Sequence, residues 1–518
     1  MKRNLLAAAC GLAFAAFAGQ ASATSTISTP FDTPDYTVYL SGASAAQNGI
    51  GEIANQVFDM TKPFYVFIDD TAGSNYRGYF GVTKSGVISS GQKTVLLINR
   101  AKGGSIFGIN PIARQENIQT LRVSSATCTL SSSFSISGLT ATAYYTGCGT
   151  TGSDANPADT TGRIPDFGVS DVAPYMFQNP YNVEPGASAL SKAELAKLTS
   201  QSVYALMFGV AVTDSVPDSV NVSRNIYGQL LSGKVQSWSK IAGAGAGNVV
   251  VCRRVSGSGT QATYGWFFGG FPCTSGNIAS SVNAPLAGES DSTSYGPYMG
   301  AGSGTSADPY IMDPTAGYTV IELGSSGDVR NCLKTANAGG TLNYSKYEVD
   351  QLSGVAQTNY YRVTFPAGSK AVGILSLDSA GKEDGWSFRA LEGTGRLAKS
   401  LSTDTAAPAF TGTGVGPTHQ NLLEGLYDLV GEGSYQYNTT AYNAFSTDKK
   451  QFITAFINAA GNPTTLDAIS GVQGVKAAYS ALPSKYTATI NSATGLVSNN
   501  VARADRAGNQ CGPLVRKY

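Results

Sequence analysis

Histidine and charged side chains are scarce in this 518-residue chain. His419 is the single histidine, and only 13% of the residues are charged. The chain also lacks any Cys-x-x-Cys pair, so the spacings typical of zinc sites are missing. Past the first residues, no run approaches the roughly 20 consecutive apolar residues that a membrane-spanning helix needs. These absences argue against a histidine-based metal centre and against a membrane span.

Net charge is also nearly absent. Without Lys2 and Arg3 the chain has 33 basic and 34 acidic side chains, a net charge of −1. Such a balance argues against nucleic acid or an anionic membrane as a partner. The 61 glycines, together with many serines, threonines and tyrosines, are typical of a β-rich exported protein.

The first residues have the pattern of a cleavable secretory signal. Lys2 and Arg3 form a basic start, Leu5–Phe17 is apolar, and Ala21-Ser22-Ala23 offers the small residues that a signal peptidase needs. We therefore expect residues 1–23 to be a signal peptide, with cleavage after Ala23. The mature chain would be periplasmic or secreted.

Six cysteines remain in the mature chain, and an even number in an exported protein predicts three disulfides. Proximity in sequence favours Cys128–Cys148 and Cys252–Cys273, which leaves Cys332–Cys511, although other connectivities remain open. Cys10 lies within the signal. Because the apolar run before it is short, we do not expect it to be lipidated.

Strand-like and helix-like segments alternate along the mature chain, which predicts an α/β architecture. Residues 115–165 and 274–312 interrupt the alternation and are predicted to be surface excursions or small β subdomains. The predicted strands are Tyr36–Leu40, Thr94–Ile98, Tyr204–Val212 and Val249–Cys252, and the predicted helices are Asn48–Met60, Ala189–Leu198, Ile226–Leu231 and Ala262–Phe268.

Three strand-to-loop junctions combine small residues with hydroxyl groups, namely Ser41–Ser44, Gly168–Asp171 and Arg254–Thr260. Helix N-termini expose unpaired N–H groups that bind anions, and an arginine fork suits a tetrahedral oxyanion. A carboxylate such as Asp171 repels an anion unless the ligand still carries a proton to donate. Phosphate and arsenate carry one near neutral pH and sulfate does not, so these junctions predict a site for a protonated oxyanion.

Five segments resemble the phosphate-specific periplasmic binding proteins. Val249–Thr260 is similar to that family's strand, arginine pair and G-S-G-T signature. Phe167–Pro174 resembles its F-G-A-S-D-x-P segment, and Leu40–Ala45 its first anion loop. Leu230–Trp238 and Ala371–Ser376 resemble its S-G-K-I-x-x-W stretch and the strand that recrosses between lobes. The resemblance implies an α/β, two-lobed type II periplasmic binding protein fold with β-rich and loop insertions.

The same resemblance implies a division of the chain into two lobes. The first lobe would comprise residues 24–206 and 374–518, with an insertion at about 115–165. The second would comprise residues 207–373, with an insertion at about 274–312.

In this family the ligand lies in the cleft between the lobes. By similarity Asp171 accepts the ligand's proton, and a glycine-rich loop supplies a hydroxyl from Ser105, with Ser74 as the rival. The acidic residue that usually follows the binding arginine by two is Ser256 here. The implied ligand-binding residues are Ser44, Ala45, Ser105, Asp171, Arg254, Ser258, Gly259 and Thr260.

The expected function is therefore capture of inorganic phosphate, or of an arsenate-like oxyanion, by a monomer that serves an inner-membrane ABC-type importer. No catalysis and no cofactor is implied. The DING-type secreted phosphate binders are another relative, although their namesake N-terminal motif is missing. The alternative is a secreted protein without a transporter that acts as a scaffold or binds another ligand.

Two further readings need residues that fit poorly. An esterase would need a nucleophile elbow, but the segment around Ser170 is one glycine short of G-x-S-x-G. The neighbours of His419 predict a helix start rather than a catalytic base. Trp238, Trp266 and Trp386 could form a carbohydrate platform, but packing within the lobes is the simpler interpretation.

Overall fold

The computed structural model describes residues 30–516 except 70–72, 74, 137–138, 155, 185–186, 275–301, 350–354, 399–407, 474, 476–477 and 484–488. The predicted signal peptide, Ser74 and most of the predicted insertion at 274–312 lie outside the described residues. Among the described residues, no helix is long and apolar enough to cross a membrane.

The strands in the first half of the chain are β1 (Tyr36–Gly42), β2 (Tyr65–Ile68), β3 (Tyr76–Val82), β4 (Thr94–Arg100), β5 (Thr120–Leu121), β6 (Thr129–Ser131), β7 (Ala143–Thr146), β8 (Thr150–Thr151), β9 (Phe167–Ser170), β10 (Leu198–Thr213) and β11 (Val249–Arg254). Those in the second half are β12 (Tyr310–Met312), β13 (Thr319–Leu323), β14 (Gly340–Val349), β15 (Ala356–Phe365), β16 (Lys370–Ser376), β17 (Trp386–Arg389), β18 (Arg396–Ala398), β19 (Ala409–Thr411), β20 (Val430–Asn438), β21 (Tyr479–Ala481), β22 (Ala502–Asp505) and β23 (Val515–Arg516).

The helices are α1 (Gln47–Val57), α2 (Asn110–Arg114), α3 (Lys192–Leu195), α4 (Arg224–Leu231), α5 (Gly259–Gly269), α6 (Ser326–Ala338), α7 (His419–Glu424), α8 (Thr439–Ala444), α9 (Thr447–Ala460) and α10 (Pro463–Gln473). Short 3₁₀ turns occur at Pro30–Asp32, Ser105–Gly108, Pro174–Met176, Trp238–Lys240 and Leu377–Ser379. The predicted α/β class is confirmed.

The strands form two large mixed sheets. The first sheet has the order β6-β7-β2-β3-β4-β1-β9-β20-β10-β21-β22-β23, in which β4, β1 and β9 are parallel neighbours. The second sheet has the order β13-β11-β16-β10-β17-β18-β19, in which β13, β11 and β16 are parallel neighbours. A smaller sheet, β12-β15-β14, and the pair β5-β8 stand apart from them.

Strand β10 belongs to both large sheets. Residues Leu198–Met207 pair with β20, whereas Phe208–Thr213 pair with β16 and β17, so the change of partner falls between Met207 and Phe208. This strand therefore connects two lobes, each built on one sheet. The sequence division assigned residues 374–518 to the first lobe, but strands β17, β18 and β19 from this range pair within the second sheet.

Other predicted elements shift at their ends. The predicted helix at 189–198 is a single turn, α3, which begins with a capping box formed by Ser191 and Glu194. The strand predicted from Tyr204 begins at Leu198, because the residues before Tyr204 continue the pairing with β20. The insertion at 115–165 carries β5 to β8, of which β6 and β7 extend the first sheet.

Of the three disulfides predicted from proximity in sequence, the structure confirms one. Cys128–Cys148 is confirmed. The pairings Cys252–Cys273 and Cys332–Cys511 are wrong, because the structure has Cys252–Cys332 and Cys273–Cys511. Helix α6 packs against β11 and brings Cys332 to Cys252 in the core, whereas α5 carries Cys273 away from β11.

Cys273–Cys511 links elements of the two lobes. Cys273 follows α5, which packs on β11 and β16 of the second sheet. Cys511 lies in the C-terminal segment, where the Gln510 side chain accepts a hydrogen bond from the backbone N–H of Glu432 in β20. The Arg506 guanidinium from that segment also lies over the ring of Trp266 in α5, 4.3 Å from its centroid.

We expect the double change Cys273→Ser with Cys511→Ser to lower the free energy of unfolding by about 5 kcal/mol, because this disulfide closes a loop of 238 residues. The matched change Cys128→Ser with Cys148→Ser opens a loop of only 20 residues and should cost about 3 kcal/mol. Urea unfolding would compare the two. Equal losses would show that the long disulfide does not restrain the lobes.

Candidate anion-binding site

Each large sheet contains three parallel strands, and the carboxyl ends of the two sets face one another across the boundary between the lobes. Loops after β1, β4 and β9 come from the first sheet, and loops after β11, β13 and β16 come from the second. In open α/β sheets, ligands bind in the crevice outside the carboxyl ends of the strands. The candidate site lies in this crevice.

Two glycine-containing turns shape the first-lobe side. Gly42 has a φ of +136°, and a Cβ at this position would lie 1.9 Å from the carbonyl oxygen of Val169, so only glycine fits. The chain then turns through Ser44 and Ala45, both buried, before α1 begins. Gly104 also has a positive φ, +90°, which lets the chain turn just before Ser105.

On the second-lobe side, α5 begins directly at the site. Ser258 is its N-cap and accepts a hydrogen bond from the N–H of Gln261, and Gly259 and Thr260 form the first turn. Arg254 ends β11 and is 2% exposed. Its neighbour Arg253 pairs with Glu322 at 2.6 Å, as expected for adjacent strand residues, whose side chains point to opposite faces.

Contacts between the two sides hold these residues together. Arg254 Nη1 donates to Ser44 Oγ at 2.6 Å. The backbone N–H of Ile106 donates to the carbonyl of Gly257 at 2.8 Å. A Cβ on Gly259 would lie 2.5 Å from Ser105 Oγ and 2.7 Å from Asp171 Cβ, so the start of α5 sits directly against the first lobe. The structure thus brings all eight predicted residues to one buried place.

Asp171 is the buried acid of this site, 1% exposed. Ser105 Oγ donates to its Oδ2 at 3.3 Å, and its own backbone N–H donates back to Ser105 Oγ at 3.2 Å. Burial raises the pKa of Asp171 to about 7, although Arg254 and the Ser105 hydroxyl oppose the shift. Folding therefore favours the neutral acid, and the contribution of Asp171 to stability falls as pH rises from 3.8 towards 7.

Burial also lowers the pKa of Arg254 to about 10, and Asp171 and Asp328 oppose that shift. Arg254 remains charged at neutral pH. Its Nε and Nη2 donate to the carbonyl oxygens of Leu323 and Gly324, which fixes the guanidinium along the end of β13.

The N-terminus of α6 is part of the site, and the sequence analysis missed it. Ser326 Oγ lies 3.3 Å from Ser44 Oγ and 3.4 Å from Arg254 Nη1. Asp328, held by the N-cap Ser325, is one of the two carboxylates that oppose the lowering of the Arg254 pKa. The sequence does contain a signal for the start of this helix, because Ser325-x-x-Asp328 after the apolar strand β13 is a helix-start pattern.

Several polar atoms in this region have no hydrogen-bond partner within the described part of the chain. They are Asp171 Oδ1, Thr260 Oγ1 and Gln261 Oε1. Buried polar groups are normally satisfied, and such exceptions concentrate where a ligand or water binds. A small cavity lined in part by Arg254, Thr260 and Gln261 adjoins them.

Among the described residues, those named for an esterase or for a carbohydrate platform do not form a second site. Ser170 Oγ donates to the carbonyl of Val172 at 2.6 Å, and His419 begins α7 behind its N-cap Thr418. Trp238 and Trp386 are buried in the core. Among the described residues, no group of three or more His, Cys, Asp or Glu side chains could hold a metal ion.

Comparison with solved structures returns proteins described as phosphate binders, at low similarity. A phosphate ABC transporter substrate-binding protein with bound phosphate from Clostridium perfringens has a TM-score of 0.40 and 12% identity, covering 85% of this chain and 99% of that one. An ABC-type phosphate transport receptor from Vibrio cholerae has a TM-score of 0.34 and 12% identity, covering 84% and 98%. A phosphate-binding protein from Stenotrophomonas maltophilia has a TM-score of 0.27 and 16% identity, covering 68% and 89%.

No family model and no curated protein matches the chain. At these identities and TM-scores the solved structures carry no function over to it.

Gly259→Ala tests the close approach of the lobes. The new methyl group would collide with Ser105 and Asp171, so we expect the free energy of unfolding to fall by about 1–3 kcal/mol. Gly228→Ala in α4 is the matched control, because its Cβ would meet only Phe268 at 4.0 Å. Alanine is the better helix former by about 1 kcal/mol, so the control should gain stability. Thermal or urea unfolding measures both, and a gain in both variants would contradict the packing described.

Proposed function

We propose that this protein binds inorganic phosphate, or an arsenate-like oxyanion, between its two lobes. The observation that carries the proposal is one buried place holding the charged Arg254, the acid Asp171, serine hydroxyls and the start of α5. Arg254 neutralises part of the ligand's charge, and the hydroxyls and the N–H groups of α5 donate to its oxygens. The ligand is held by hydrogen bonds, with no bond made or broken.

Asp171 supplies the selectivity in this proposal. As a carboxylate it accepts a hydrogen bond from a ligand that retains a proton and repels one that has none. The site therefore binds phosphate and arsenate and rejects sulfate. Because burial raises the pKa of Asp171 to about 7, the rejection depends on pH: below 7 the neutral carboxyl can donate to sulfate.

We further propose that the protein is exported, acts as a monomer, and delivers phosphate to an ABC-type importer through opening and closing of the lobes. One observation favours the alternative of a secreted binder without a transporter. Cys273–Cys511 joins α5, which begins at the site, to the segment packed on the first sheet. A covalent link of this kind restricts opening and favours retention of the ligand over its release.

Titration calorimetry of the mature chain, refolded to remove carried-over ligand, tests the binding and its selectivity. At pH 8 we expect phosphate to bind and sulfate to give no response. At pH 6 sulfate binding should appear, because Asp171 becomes neutral. Asp171→Asn should bind sulfate equally at both pH values. Sulfate rejection that is the same at pH 6 and pH 8, and that survives in Asp171→Asn, would refute the selecting role.

Arg254→Ala should weaken phosphate binding by about 1.5–3 kcal/mol, because it removes a charge-assisted hydrogen bond. Arg362→Ala, which removes an exposed arginine from β15, is the control and should leave the affinity unchanged. Calorimetry at pH 8 gives both values. An affinity for Arg254→Ala equal to that of the control would exclude Arg254 from the site.

A further inference from the structure

A second group of cations lies beside the anion-binding site. It consists of Arg77 in β3, Arg330 in α6 and Lys382 after the turn that follows β16. Within the described residues, none of the three lies within salt-bridge distance of a carboxylate, and the buried Asp378 offsets only part of their combined charge. A local surplus of positive charge attracts an anionic ligand.

Arg330 belongs to the helix that borders the site. It follows Ser326 by four residues in the 13-residue helix α6, so the two side chains lie on one face, a turn apart. Arg330 Nη1 donates to Ser379 Oγ at 2.9 Å, and Ser379 lies in the turn at the carboxyl end of β16. Arg330 therefore lies along the same crevice, one helical turn from the contact between Ser326 and Ser44.

Arg77 approaches from the first lobe. Its Nε donates to the carbonyl of Gly73 at 2.8 Å and its Nη1 to the carbonyl of Gln47 at 3.4 Å. Gln47 begins α1, and its backbone N–H donates to the carbonyl of Ser44 at 3.3 Å. Arg77 is thus fixed directly behind the first anion loop.

Lys382 closes the group on the solvent side. Its Nζ donates to the carbonyl of Asp378 at 3.2 Å, and water reaches the side chain although protein surrounds it on most sides. Desolvation lowers the pKa of Lys382 to about 8, with Arg330 and Arg77 acting in the same direction and Asp378 opposing them. Arg330 and Lys382 therefore meet at one turn, Leu377–Ser379, the first through Ser379 and the second through Asp378.

Asp378 connects this group to the phosphate site. It acts on Lys382 and Arg330, and it also helps to raise the pKa of Asp171. The other acids that face the group are Asp328, which is held by the cap of α6, and Glu383. Asp378 thus interacts electrostatically both with Asp171 and with the cations of the second group.

We propose that the ligand carries two anionic centres, one phosphoryl group held by Ser44, Asp171 and Arg254 and a second negative group held by Arg330 and Lys382. The ligand class is a phosphate joined through one oxygen to another anionic group, with diphosphate as its simplest member. The proposal rests on the proposed phosphate site and specifies what that site accepts. Arg77 holds the first anion loop in place beside the second centre.

Calorimetry at pH 8 without divalent cations, with orthophosphate and diphosphate as the probes, tests this proposal on the refolded mature chain. At this pH each probe still carries a proton for Asp171, and diphosphate adds the second anionic group. We expect diphosphate to bind at least roughly tenfold more tightly than orthophosphate. Arg330→Met should reduce that ratio to about 1–3 and change orthophosphate affinity by less than about threefold.

Lys382→Met is the second variant, because it removes a solvent-reached charge and should leave folding intact even if Arg330→Met does not. Lys334→Met is the control, since Lys334 lies one turn beyond Arg330 on α6 but pairs with Asp384 at 2.6 Å. A ratio unchanged in Lys382→Met and in folded Arg330→Met, or orthophosphate binding with diphosphate excluded, would overturn the inference and leave the proposed function standing. Silence towards both anions would overturn the inference and the proposed function together.

Discussion

The burial of Arg254 at the boundary between the lobes is the constraint on which the site depends. A guanidinium removed from water destabilises a fold unless hydrogen bonds and opposite charge compensate it. Here the compensation is distributed: carbonyls at the end of β13, the hydroxyls of Ser44 and Ser326, and the more distant carboxylates of Asp171 and Asp328. Because these groups come from both sheets, the charge of Arg254 is fully compensated only when the two lobes are in contact.

The insertion at 115–165 stabilises the same region from outside. Arg100 ends β4, just before the loop that presents Ser105, and it is 2% exposed. Its guanidinium pairs with Asp154 of the insertion at 2.8 Å and stacks on Phe107 at 3.9 Å. The extra length of the chain thus fixes the base of an anion loop, which is a structural use for a segment that sequence patterns alone describe only as a surface excursion.

Short-range signals in the sequence were sufficient for the strand ends that build the site. Glycines and hydroxyls after β1, β9 and β11 predicted which loops meet at the candidate site, because positive φ angles and helix caps are encoded within a few residues. The resemblance to phosphate binders added Ser105, which composition could not distinguish from Ser74. The cap formed by Ser325 is likewise encoded within a few residues, so the start of α6 could have been predicted from the sequence.

What escaped prediction depends on packing between distant segments. The disulfide partners of Cys252 and Cys273 were assigned by separation along the chain, whereas the packing of α6 on β11 decides them. The hairpin of β14 and β15 was not recognised, because its inner face buries Lys346 and Glu348 as an ion pair and so hides the usual alternation of apolar and polar residues. The cations Arg77 and Arg330 are ordinary in sequence, and only the meeting of the lobes brings them together.

Because α5 and the C-terminal segment are joined by a disulfide, the structure of the protein depends on the redox conditions of the compartment in which it folds. In a compartment that keeps thiols reduced, Cys273 and Cys511 would stay apart, and only noncovalent contacts such as Arg506 over Trp266 would hold the tail to the helix that begins at the site. Material produced in a reducing cytoplasm and material recovered from an oxidising compartment would then differ in this link although they share one sequence. Their lobes would differ in freedom to part and hence, under the proposed function, in how long each retains a bound anion.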